Sequence, residues 1–419
     1  MKIVFVNRYF HPDQSATSRM VSSLAFMLAA EGHEVAALCG RSRRDGGQTL
    51  SPARERIQGV DIVRVPSIGF DRNNLLARFV DDLAFHILTA LRLLLATRRG
   101  DICVVCTDPP LHSVSAAPAI ALLGGRMVNW VMDLFPEVAV ELGLVRRRGV
   151  GTRAALALRD LSLRAAALIV CPIGAMRDRL AAQGCDAARL AVVRHWSDET
   201  DITPVERADN PLRRAWGLRD ALVVGYSGNF GRAHDFGTLI DAAEALADDR
   251  NIKFLLIGDG ARRGWVEAEA ARRGLDNILF KPLQPREVLS QSMCAADVHV
   301  VSLLPALESC IVPSKFYGVL AAGRPTLFIG SGCGEVARVA DAGKCGASVE
   351  IGDVVGLVDH IRALRDDAAL REEMGRRARR LFLAEYRGGR GLAEWRSLIA
   401  RLANDEGAAS AAPRERPVS

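Results

Sequence analysis

Residues 221–260 read ALVVGYSGNFGRAHDFGTLIDAAEALADDRNIKFLLIGDG. An apolar run is followed by a glycine-containing turn, a helix-like stretch from Asp235 to Asp248, and a second apolar run that ends at Gly258–Gly260. A strand, a helix and another strand in this order form the repeating unit of a parallel sheet. The segment therefore predicts a doubly wound α/β domain with glycine-rich loops at the carboxyl ends of its strands.

The first half of the chain alternates strands and helices in the same way, starting with KIVFVN (residues 2–7) and a helix over residues 15–32. Cys103 and Cys106 form a C-x-x-C inside the apolar run DICVVCTD, so we expect buried core there and not a metal or redox site. The polar, proline-bearing stretch Arg194–Gly217 has no sustained periodicity and predicts the connection between two domains.

Length and charge set limits on the class of protein. A chain of 419 residues suggests two domains, and its net charge of +6 suits anionic substrates or an anionic membrane surface without the basic-aromatic pattern of nucleic-acid binding. The nine scattered cysteines and a first strand that begins at the N-terminus predict a reduced cytoplasmic protein without a signal peptide. We expect domains at residues 1–197 and 198–387, a further helix at 388–405 and a disordered tail at 406–419.

The segment Asn74–Gly100 is heavily apolar and ends in Arg98–Arg99. It fits an ordinary domain helix. It also fits a helix that lies on a membrane surface with its arginines among the lipid headgroups. Both interpretations stay open at the level of sequence.

A second informative stretch is SCIVPSKFYGVLAAGRP, Ser309 to Pro325. It reads as a loop that enters a helix, which ends at Gly323 with Pro325 two residues beyond. The start of a helix offers unpaired N–H groups and the positive end of a dipole, so it favours an anion. A capped core helix with a solvated lysine is the alternative. Neither a dinucleotide G-x-G-x-x-G nor a Walker loop occurs, which disfavours oxidoreductases and NTPases.

The order of the motifs GTLxxAA, LLIGDG, PSKxYGxLAAGRP and LREEMGRRAR resembles the retaining glycosyltransferases of family 4, in the bacterial branch that builds exopolysaccharide, colanic-acid or O-antigen units. YFHPDQSATSRM (residues 9–20) and WVMDLFPEVAVELGL (residues 130–144) resemble segments of the same branch, and the similarity covers nearly all of residues 1–405. The resemblance implies the GT-B fold: two Rossmann-like doubly wound domains facing across a cleft, with a C-terminal helix that crosses back to the first domain.

The resemblance also implies an activity. Such a protein moves a hexosyl group from a nucleotide-diphosphate (NDP) sugar to a saccharide or polyprenyl-diphosphate-linked acceptor, with retention at the anomeric carbon. It needs neither metal nor another cofactor, works in the cytoplasm or at the inner face of the cytoplasmic membrane, and has no nucleic-acid partner.

The family's contacts to the donor diphosphate are altered in this chain. Many members have a Gly-Arg pair after the first strand of the second domain and a lysine five residues later. Those positions hold Gly228–Asn229 and His234 here. Arg232 lies between them and is the candidate replacement cation.

The family's paired glutamates are also missing, because their positions hold Cys310 and Gly318. Glu308 is the nearest acid and Lys315 the nearest cation, so the resemblance implies a shifted site. The predicted catalytic residues are Asp133, Glu308, Arg232 and Lys315. The predicted donor-binding residues are Ser15, Ala16, Gly228, Asn229, His234, Gly258, Asp259, Gly260, Lys281, Pro282, Leu283, Ser314, Tyr317 and Gly318.

Two other functions share this architecture. A UDP-sugar 2-epimerase would need carboxylates in the cleft, and the missing acids at Cys310 and Gly318 disfavour it. A non-catalytic protein that binds nucleotide sugars or scaffolds an assembly is compatible with the loss of those acids.

Overall fold

The computed structural model describes residues 1–13, 15–41, 51–66, 75–218 and 220–411. The chain divides into two compact units, each with its own sheet. The first unit comprises Met1–Val140, Val145–Arg194 and Gly389–Ser419, and the second comprises Glu141–Leu144 and His195–Gly388.

The sheet of the first unit has the strand order β3-β4-β2-β1-β5-β6-β7-β8, and all neighbours are parallel except β3 and β4. Its strands are β1 (Lys2–Val6), β2 (Glu34–Gly40), β3 (Arg54–Ile57), β4 (Val60–Val65), β5 (Ile102–Cys106), β6 (Arg126–Trp130), β7 (Leu168–Cys171) and β8 (Leu190–Val192). The helices between them are α1 (Ala16–Ala30), α2 (Leu75–Ala96), α3 (His112–Leu122), α4 (Glu137–Glu141), α5 (Val150–Ala165) and α6 (Gly174–Ala182).

The sheet of the second unit is parallel throughout, in the order β11-β10-β9-β12-β13-β14. Its strands are β9 (Leu222–Ser227), β10 (Ile252–Ile257), β11 (Ile278–Lys281), β12 (Val298–Ser302), β13 (Thr326–Ile329) and β14 (Gly346–Val349). Its helices are α7 (Pro211–Ala215), α8 (Gly237–Ala245), α9 (Arg263–Arg272), α10 (Leu289–Cys294), α11 (Lys315–Ala321), α12 (Glu335–Ala342), α13 (Val354–Asp366) and α14 (Ala368–Leu381).

The last helix, α15 (Gly388–Ala411), belongs with the first unit from Gly389 onward. The indole of Trp395 is fully buried, and its ring centroid lies 4.7 Å from that of Trp130 in β6. Arg396 forms an ion pair with Glu31 at the end of α1. The helix runs past residue 405, beyond the predicted start of a disordered tail. Residues 412–419 of that tail lie outside the described residues.

Each sheet changes its direction of growth at one point, which we call its switch point. In the first unit the chain builds outward from β1 to β2 and β4, then returns to add β5 on the other side of β1. In the second unit it builds from β9 to β10 and β11, then returns to add β12 on the other side of β9. Ligands of doubly wound sheets bind outside the carboxyl ends of the strands at such points.

Both cysteines of the C-x-x-C are buried in β5, as the sequence predicted. The polar residues of the stretch predicted as the connection between domains form a helix cap and hold the stretch to the second unit. Asn210 caps α7 by accepting from the Leu212 N–H at 3.0 Å, and the buried Arg213 donates to Asp297 at 3.0 Å and to the Ala295 carbonyl at 2.8 Å.

The apolar segment that begins at Asn74 forms α2 from Leu75 to Ala96, while Asn74 itself lies outside the described residues. No helix in the described part of the chain combines the length and the apolar character that a membrane span requires.

Candidate active site

The loops that leave β9 and β12 meet at the switch point of the second sheet. The N–H of Leu304 donates to the Ala233 carbonyl at 2.9 Å, and the Ser302 hydroxyl donates to the Asp235 carbonyl at 3.0 Å. These two bonds fix the loop after β9 across the end of β12. Side chains that reach this point are therefore the first candidates for a ligand site.

Lys315, the first residue of α11, reaches the switch point through a chain of hydrogen bonds. Its ammonium lies 2.8 Å from the Tyr226 hydroxyl and 2.8 Å from Nε2 of His234. The Tyr226 hydroxyl donates onward to the Asn229 carbonyl at 2.7 Å, and Nδ1 of His234 lies 2.5 Å from the Ser302 carbonyl. We call Lys315, Tyr226 and His234 the lysine cluster.

The bonds of the cluster fix which atoms carry protons. A carbonyl only accepts, so Nδ1 of His234 carries the hydrogen and Nε2 accepts from Lys315. An ammonium has three N–H donors, and Tyr226 and His234 take two of them. The third donor of Lys315 has no partner among the residues that the structure describes, so it is available to a ligand.

Burial changes the electrostatics of the cluster. It lowers the pKa of the Lys315 ammonium to about 7. Burial, together with the nearby charge of Lys315, lowers the pKa of His234 to about 3, so this ring is neutral. A diphosphate bound to Lys315 would favour the charged ammonium and raise its pKa again.

Two glycines form the loops beside the lysine cluster. Gly228 has φ +136°, and a Cβ there would come within 3.3 Å of Cε of Lys315. Gly258 has φ +134°, and a Cβ there would overlap the carbonyl oxygen of Gly228. Only glycine fits both the backbone conformation and the available space at these positions.

Backbone bonds join the loops after β9, β10 and β11. The Phe230 N–H donates to the Asp259 carbonyl at 2.8 Å, the Arg262 N–H donates to the Phe230 carbonyl at 2.9 Å, and the Gly258 N–H donates to the Lys281 carbonyl at 3.1 Å. The predicted donor-binding loops are thus brought together along one edge of the sheet.

The far end of this edge holds three more of the predicted donor-binding residues, Lys281, Pro282 and Leu283. The ammonium of Lys281 lies 5.4 Å above the Trp216 ring. Pro282 and Leu283 follow and are exposed. Gly260 packs against Asn229, which is also exposed.

Glu308 lies in the loop after β12, against the start of α12. The Glu335 N–H reaches its carboxyl group, and a Cβ at Gly334 would overlap both carboxyl oxygens. Its Oε1 is buried without a hydrogen-bond partner among the described residues. Burial raises the pKa of Glu308 to about 7. This carboxyl group therefore changes charge near neutral pH.

Arg232 differs from Lys315 in its surroundings. Its side chain is exposed, two residues before His234, and it forms no hydrogen bond or ion pair with the described part of the chain. It is a surface cation beside the lysine cluster, whereas Lys315 is held in one position.

Three predicted donor-binding residues make contacts within the protein. Both ring nitrogens of His234 are bonded, so this ring positions Lys315. Tyr317 is buried, and its ring packs 5.0 Å from that of Tyr386, because residues two apart on a helix, such as Lys315 and Tyr317, point to different sides. A Cβ at Gly318 would meet Ile202 at 3.4 Å, so this glycine lies against packed side chains.

The two ends of α11 lie close to where the sequence predicted them. Gly323 has φ +63°, as expected of the residue that ends a helix. The helix begins at Lys315, and the half-buried Ser314 before it makes no side-chain bond to the helix.

In the first unit, Ser15 and Ala16 lie where α1 begins, beside the switch point of that sheet. The Ser15 N–H donates to Asp13 at 2.8 Å. The Ser15 hydroxyl oxygen is buried and has no hydrogen-bond partner in the described ranges of the chain. Nearby, the Arg8 N–H donates to the Asp108 carbonyl at 2.8 Å, which joins the loops after β1 and β5.

Asp133 is exposed at the carboxyl end of β6, and its N–H donates to the Thr107 hydroxyl at 3.2 Å. Beside it lies a small cavity lined by Asn129, whose Oδ1 is buried and unpaired within the described residues, and by Arg159. Arg159 forms a buried ion pair with Glu137. Ser15 and Asp133 belong to the first unit, whereas the lysine cluster and Glu308 belong to the second.

Three residues that shape these sites are not among the sequence predictions. Tyr226 lies in a run that was predicted only as a strand. A hydroxyl-bearing residue at the end of a strand, two residues before Gly228, is a signal that could have predicted a polar contact there. Gly334, which accommodates the carboxyl group of Glu308, carries no signal beyond being a glycine. Arg8 pairs with Asp81 and Asp82 of α2, and its position directly after β1 is a signal that could have found it.

Within the described ranges, no three or more His, Cys, Asp or Glu side chains come together as a set that could hold a metal ion.

Comparison with protein families gives a match on each half of the chain. The family described as "Glycosyl transferase 4-like domain" matches residues 15–196, and the family described as "Glycosyl transferases group 1" matches residues 221–367. Together the two matches cover most of the chain and fall on the two sheets described above.

Two curated relatives are also glycosyltransferases. The chain is 25% identical over 287 residues to a probable glycosyltransferase, WbjE, of Pseudomonas aeruginosa, covering 68% of this chain and 72% of that protein. It is 26% identical over 333 residues to a putative colanic acid biosynthesis glycosyl transferase, WcaI, of Escherichia coli, covering 77% of this chain and 82% of that protein.

Solved structures share the fold at low identity. A sucrose-phosphate synthase from Thermosynechococcus elongatus aligns with a TM-score of 0.75 and 17% identity, over 97% of this chain and 100% of the other. Anabaena HepE in complex with UDP and glucose aligns with a TM-score of 0.72 and 15% identity, over 96% of this chain and 100% of the other. The two parallel-sheet α/β units match the GT-B glycosyltransferase fold, and the chain belongs to the glycosyltransferases that join a 4-like domain to a group 1 domain.

Proposed function

We propose that this glycosyltransferase moves a hexosyl group from an NDP-sugar to a saccharide acceptor carried on a polyprenyl-diphosphate lipid, with retention, in cell-surface polysaccharide biosynthesis. The observation that carries the proposal is the lysine cluster at the switch point of the second sheet. One N–H of the Lys315 ammonium has no partner in the described part of the chain and lies beside the glycine loops, and this arrangement suits the diphosphate of a nucleotide sugar.

The chemical step asks the protein to stabilise a departing diphosphate. In a retaining transfer by front-side attack, the diphosphate leaves from the face that the acceptor hydroxyl approaches and helps to remove its proton. Lys315 meets the negative charge that develops on the leaving oxygens, and Arg232 adds a second, exposed cation. Tyr226 and His234 keep Lys315 in place during the step.

Glu308 is the candidate group for orienting the sugar. Its carboxyl group lies between β12 and α11, the helix that begins with Lys315, and one oxygen is unpaired among the described residues. An ionised carboxylate there accepts hydrogen bonds from the sugar hydroxyls. Because its pKa is raised to about 7, that acceptor is present mainly above neutral pH.

The first unit is the proposed acceptor side. Asp133 is exposed at the end of β6 and can orient an acceptor hydroxyl. Ser15, a predicted donor-binding residue, lies beside the switch point of the first sheet, and its hydroxyl oxygen has no hydrogen-bond partner among the described residues. One relative named for colanic acid biosynthesis supports a polysaccharide product. The proposed lipid-borne acceptor would bring the protein to the inner face of the cytoplasmic membrane.

The decisive experiment is a panel of UDP-, GDP- and dTDP-sugars, with binding measured by calorimetry and NDP release followed with and without a lipid-linked acceptor. UDP-glucose leads the panel, because HepE was solved with it. We expect one donor to bind and release its NDP only when acceptor is present. Tight binding without turnover on any acceptor would instead favour the non-catalytic alternative, which the missing family glutamates keep open. No binding to any donor in the panel would overturn the proposal.

A further inference from the structure

Helix α2 exposes one apolar side. Its large hydrophobic residues on that side recur every three to four positions and are exposed by 38% to 80%: Val80, Leu83, Ile87, Leu91, Leu94 and Leu95. The opposite side, with Phe85, Thr89 and Leu93, is buried against the unit. This spacing places the exposed set along a single stripe of the helix.

Helix α5 repeats the pattern. Val150 is 84% exposed, Leu158 is 46% exposed and Leu161 is 63% exposed, while the side that carries Arg159 and Leu163 is buried. Between the two helices, Leu122 at the end of α3 is 77% exposed.

The three helices lie side by side on one face of the first sheet. The connections from β4 to β5, β5 to β6 and β6 to β7 all run in the same direction across the sheet, so right-handed crossovers place their helices on the same face. Thr89 of α2 bonds His112 of α3 at 2.8 Å, and Ser113 of α3 bonds Ser162 of α5 at 3.0 Å. We call the exposed residues of α2, α3 and α5 the three-helix face.

The exposed charges around this face are positive. Arginines with exposed side chains lie on α2 and α5 and in the segments beside them: Arg92, Arg98, Arg99, Arg146, Arg147, Arg148, Arg153 and Arg164. The acidic residues of the three helices are bonded to arginines of the unit itself, Asp81 and Asp82 to Arg8 and Asp160 to Arg159.

We infer that the three-helix face docks on an anionic lipid surface. Exposed apolar area of this extent marks an interaction site, and arginines at its margin complement the phosphates of lipid headgroups. A second copy of the chain fits poorly, because a two-fold contact through this face would bring the arginines of one copy against those of the other. The inference deepens the proposed function and rests on it, because it assigns the membrane contact of that function to α2, α3, α5 and the arginine run Arg146–Arg148.

The test is co-sedimentation of the full chain with vesicles of phosphatidylcholine alone and of phosphatidylcholine with phosphatidylglycerol, at low and high salt. Donor and acceptor are left out, so vesicle binding and glycosyl transfer can fail separately. We expect the protein to bind the anionic vesicles at low salt. High salt should weaken this binding, because it screens the attraction between arginines and lipid phosphates, but should not abolish it, because salt does not screen the insertion of leucines into the bilayer.

Matched double variants separate the helices. Leu158→Glu with Leu161→Glu on α5, and Leu91→Glu with Leu95→Glu on α2, should each lower the bound fraction at limiting lipid by about tenfold or more. Val355→Glu with Leu370→Glu replaces exposed apolar residues of the second unit and should bind like the unchanged protein. All these positions are exposed, so the thermal unfolding midpoint should change little and serves as the check of folding.

Three results would overturn the inference. In the first, the unchanged chain stays in the supernatant with every vesicle. In the second, the α5 variant binds as well as the unchanged chain, which would confine docking to α2. In the third, sedimentation velocity shows a dimer that the same variants dissociate, which would make a second copy the occupant.

Discussion

The ammonium of Lys315 lies 2.8 Å from Nε2 of His234, a ring whose other nitrogen is bonded to the end of β12. The neutral histidine holds the lysine ammonium in one position, and one N–H of that ammonium has no partner among the described residues. Donor binding should therefore weaken when the charge of Lys315 is removed by mutation, and also when Lys315 loses its proton at high pH.

Lys315→Met keeps an unbranched side chain of nearly the same length and removes its charge. We expect donor binding to weaken by about 1.5–3 kcal/mol, the range for a charge-assisted hydrogen bond. Arg232→Ala, at an exposed site, should cost less than about 1 kcal/mol because solvent screens its charge. Calorimetric titration with UDP and UDP-glucose measures both. Equal affinity of the Lys315→Met variant and the unchanged protein would remove Lys315 from the donor site.

Donor binding should take up a proton. The free Lys315 has a pKa lowered to about 7, and a bound diphosphate raises it. Affinity is therefore highest below pH 7 and falls as the pH rises above the free pKa. A nucleotide sugar is the right ligand, because its diphosphate does not titrate in this range. Calorimetry above pH 7 in two buffers of different ionisation enthalpy measures the uptake, which should vanish in Lys315→Met. An uptake unchanged by that substitution would point to another group.

Glu308→Gln tests the carboxyl group that follows β12. Its pKa is raised to about 7, so the ionised form appears as the pH rises through that value. We expect kcat at saturating donor, where the bound diphosphate keeps Lys315 charged, to rise across this interval, and the variant to lose that rise together with most of its activity. The affinity for UDP, which lacks the sugar, should be the same in the variant and in the unchanged protein. A variant with the full pH profile of the unchanged protein would show that Glu308 does not act on the sugar.

Gly228→Ala tests the loop beside the lysine cluster. Alanine is strained at φ +136°, and its methyl group would press on Lys315, so we expect a loss of stability of about 1–3 kcal/mol and weaker donor binding. Gly264→Ala is the control, since nothing lies within 4 Å of a Cβ there and alanine favours a helix. Chemical denaturation measures the stability of both. Similar free energies of unfolding for the two variants would contradict the assigned strain.

Glycosyl transfer should survive EDTA. The family resemblance implies a metal-independent enzyme, and Lys315 with Arg232 are the proposed counter-charges of the diphosphate. Turnover is measured with EDTA and again after addition of Mg²⁺ or Mn²⁺. Loss of activity in the chelator and its recovery with metal would contradict this use of the two cations.

Alternation of apolar and amphipathic segments was enough to predict both sheets, because buried parallel strands are short continuous apolar runs. The helix end at Gly323 was equally predictable, since a left-handed glycine with a proline shortly after it is a common way for a helix to stop. Such features depend on a few neighbouring residues, and the sequence displays those directly.

The directions of the side chains could not be predicted in the same way. Lys315 and Tyr317 were both predicted to reach the ligand, yet residues two apart on a helix diverge, and Tyr317 packs inward. The apolar run of α2 likewise did not show which of its residues would be buried. Leu93 is fully buried, whereas the next residues Leu94 and Leu95 are exposed. Replacing Leu93 would therefore damage the core. The bonds of Lys315 to Tyr226 and His234 join positions over 80 residues apart and become visible only in the fold.

Gly334 and Glu308 have a consequence for how this protein can evolve. The carboxyl group of Glu308 fills the space that any side chain at position 334 would enter. A mutation at either position is therefore constrained by the other: a larger residue at 334 is tolerated only once the acid at 308 has been lost or shortened. Among diverged descendants of this sequence, glycine at 334 should accompany glutamate at 308. An alignment in which bulky residues at 334 coexist with glutamate at 308 would show that the loop can adopt a different path.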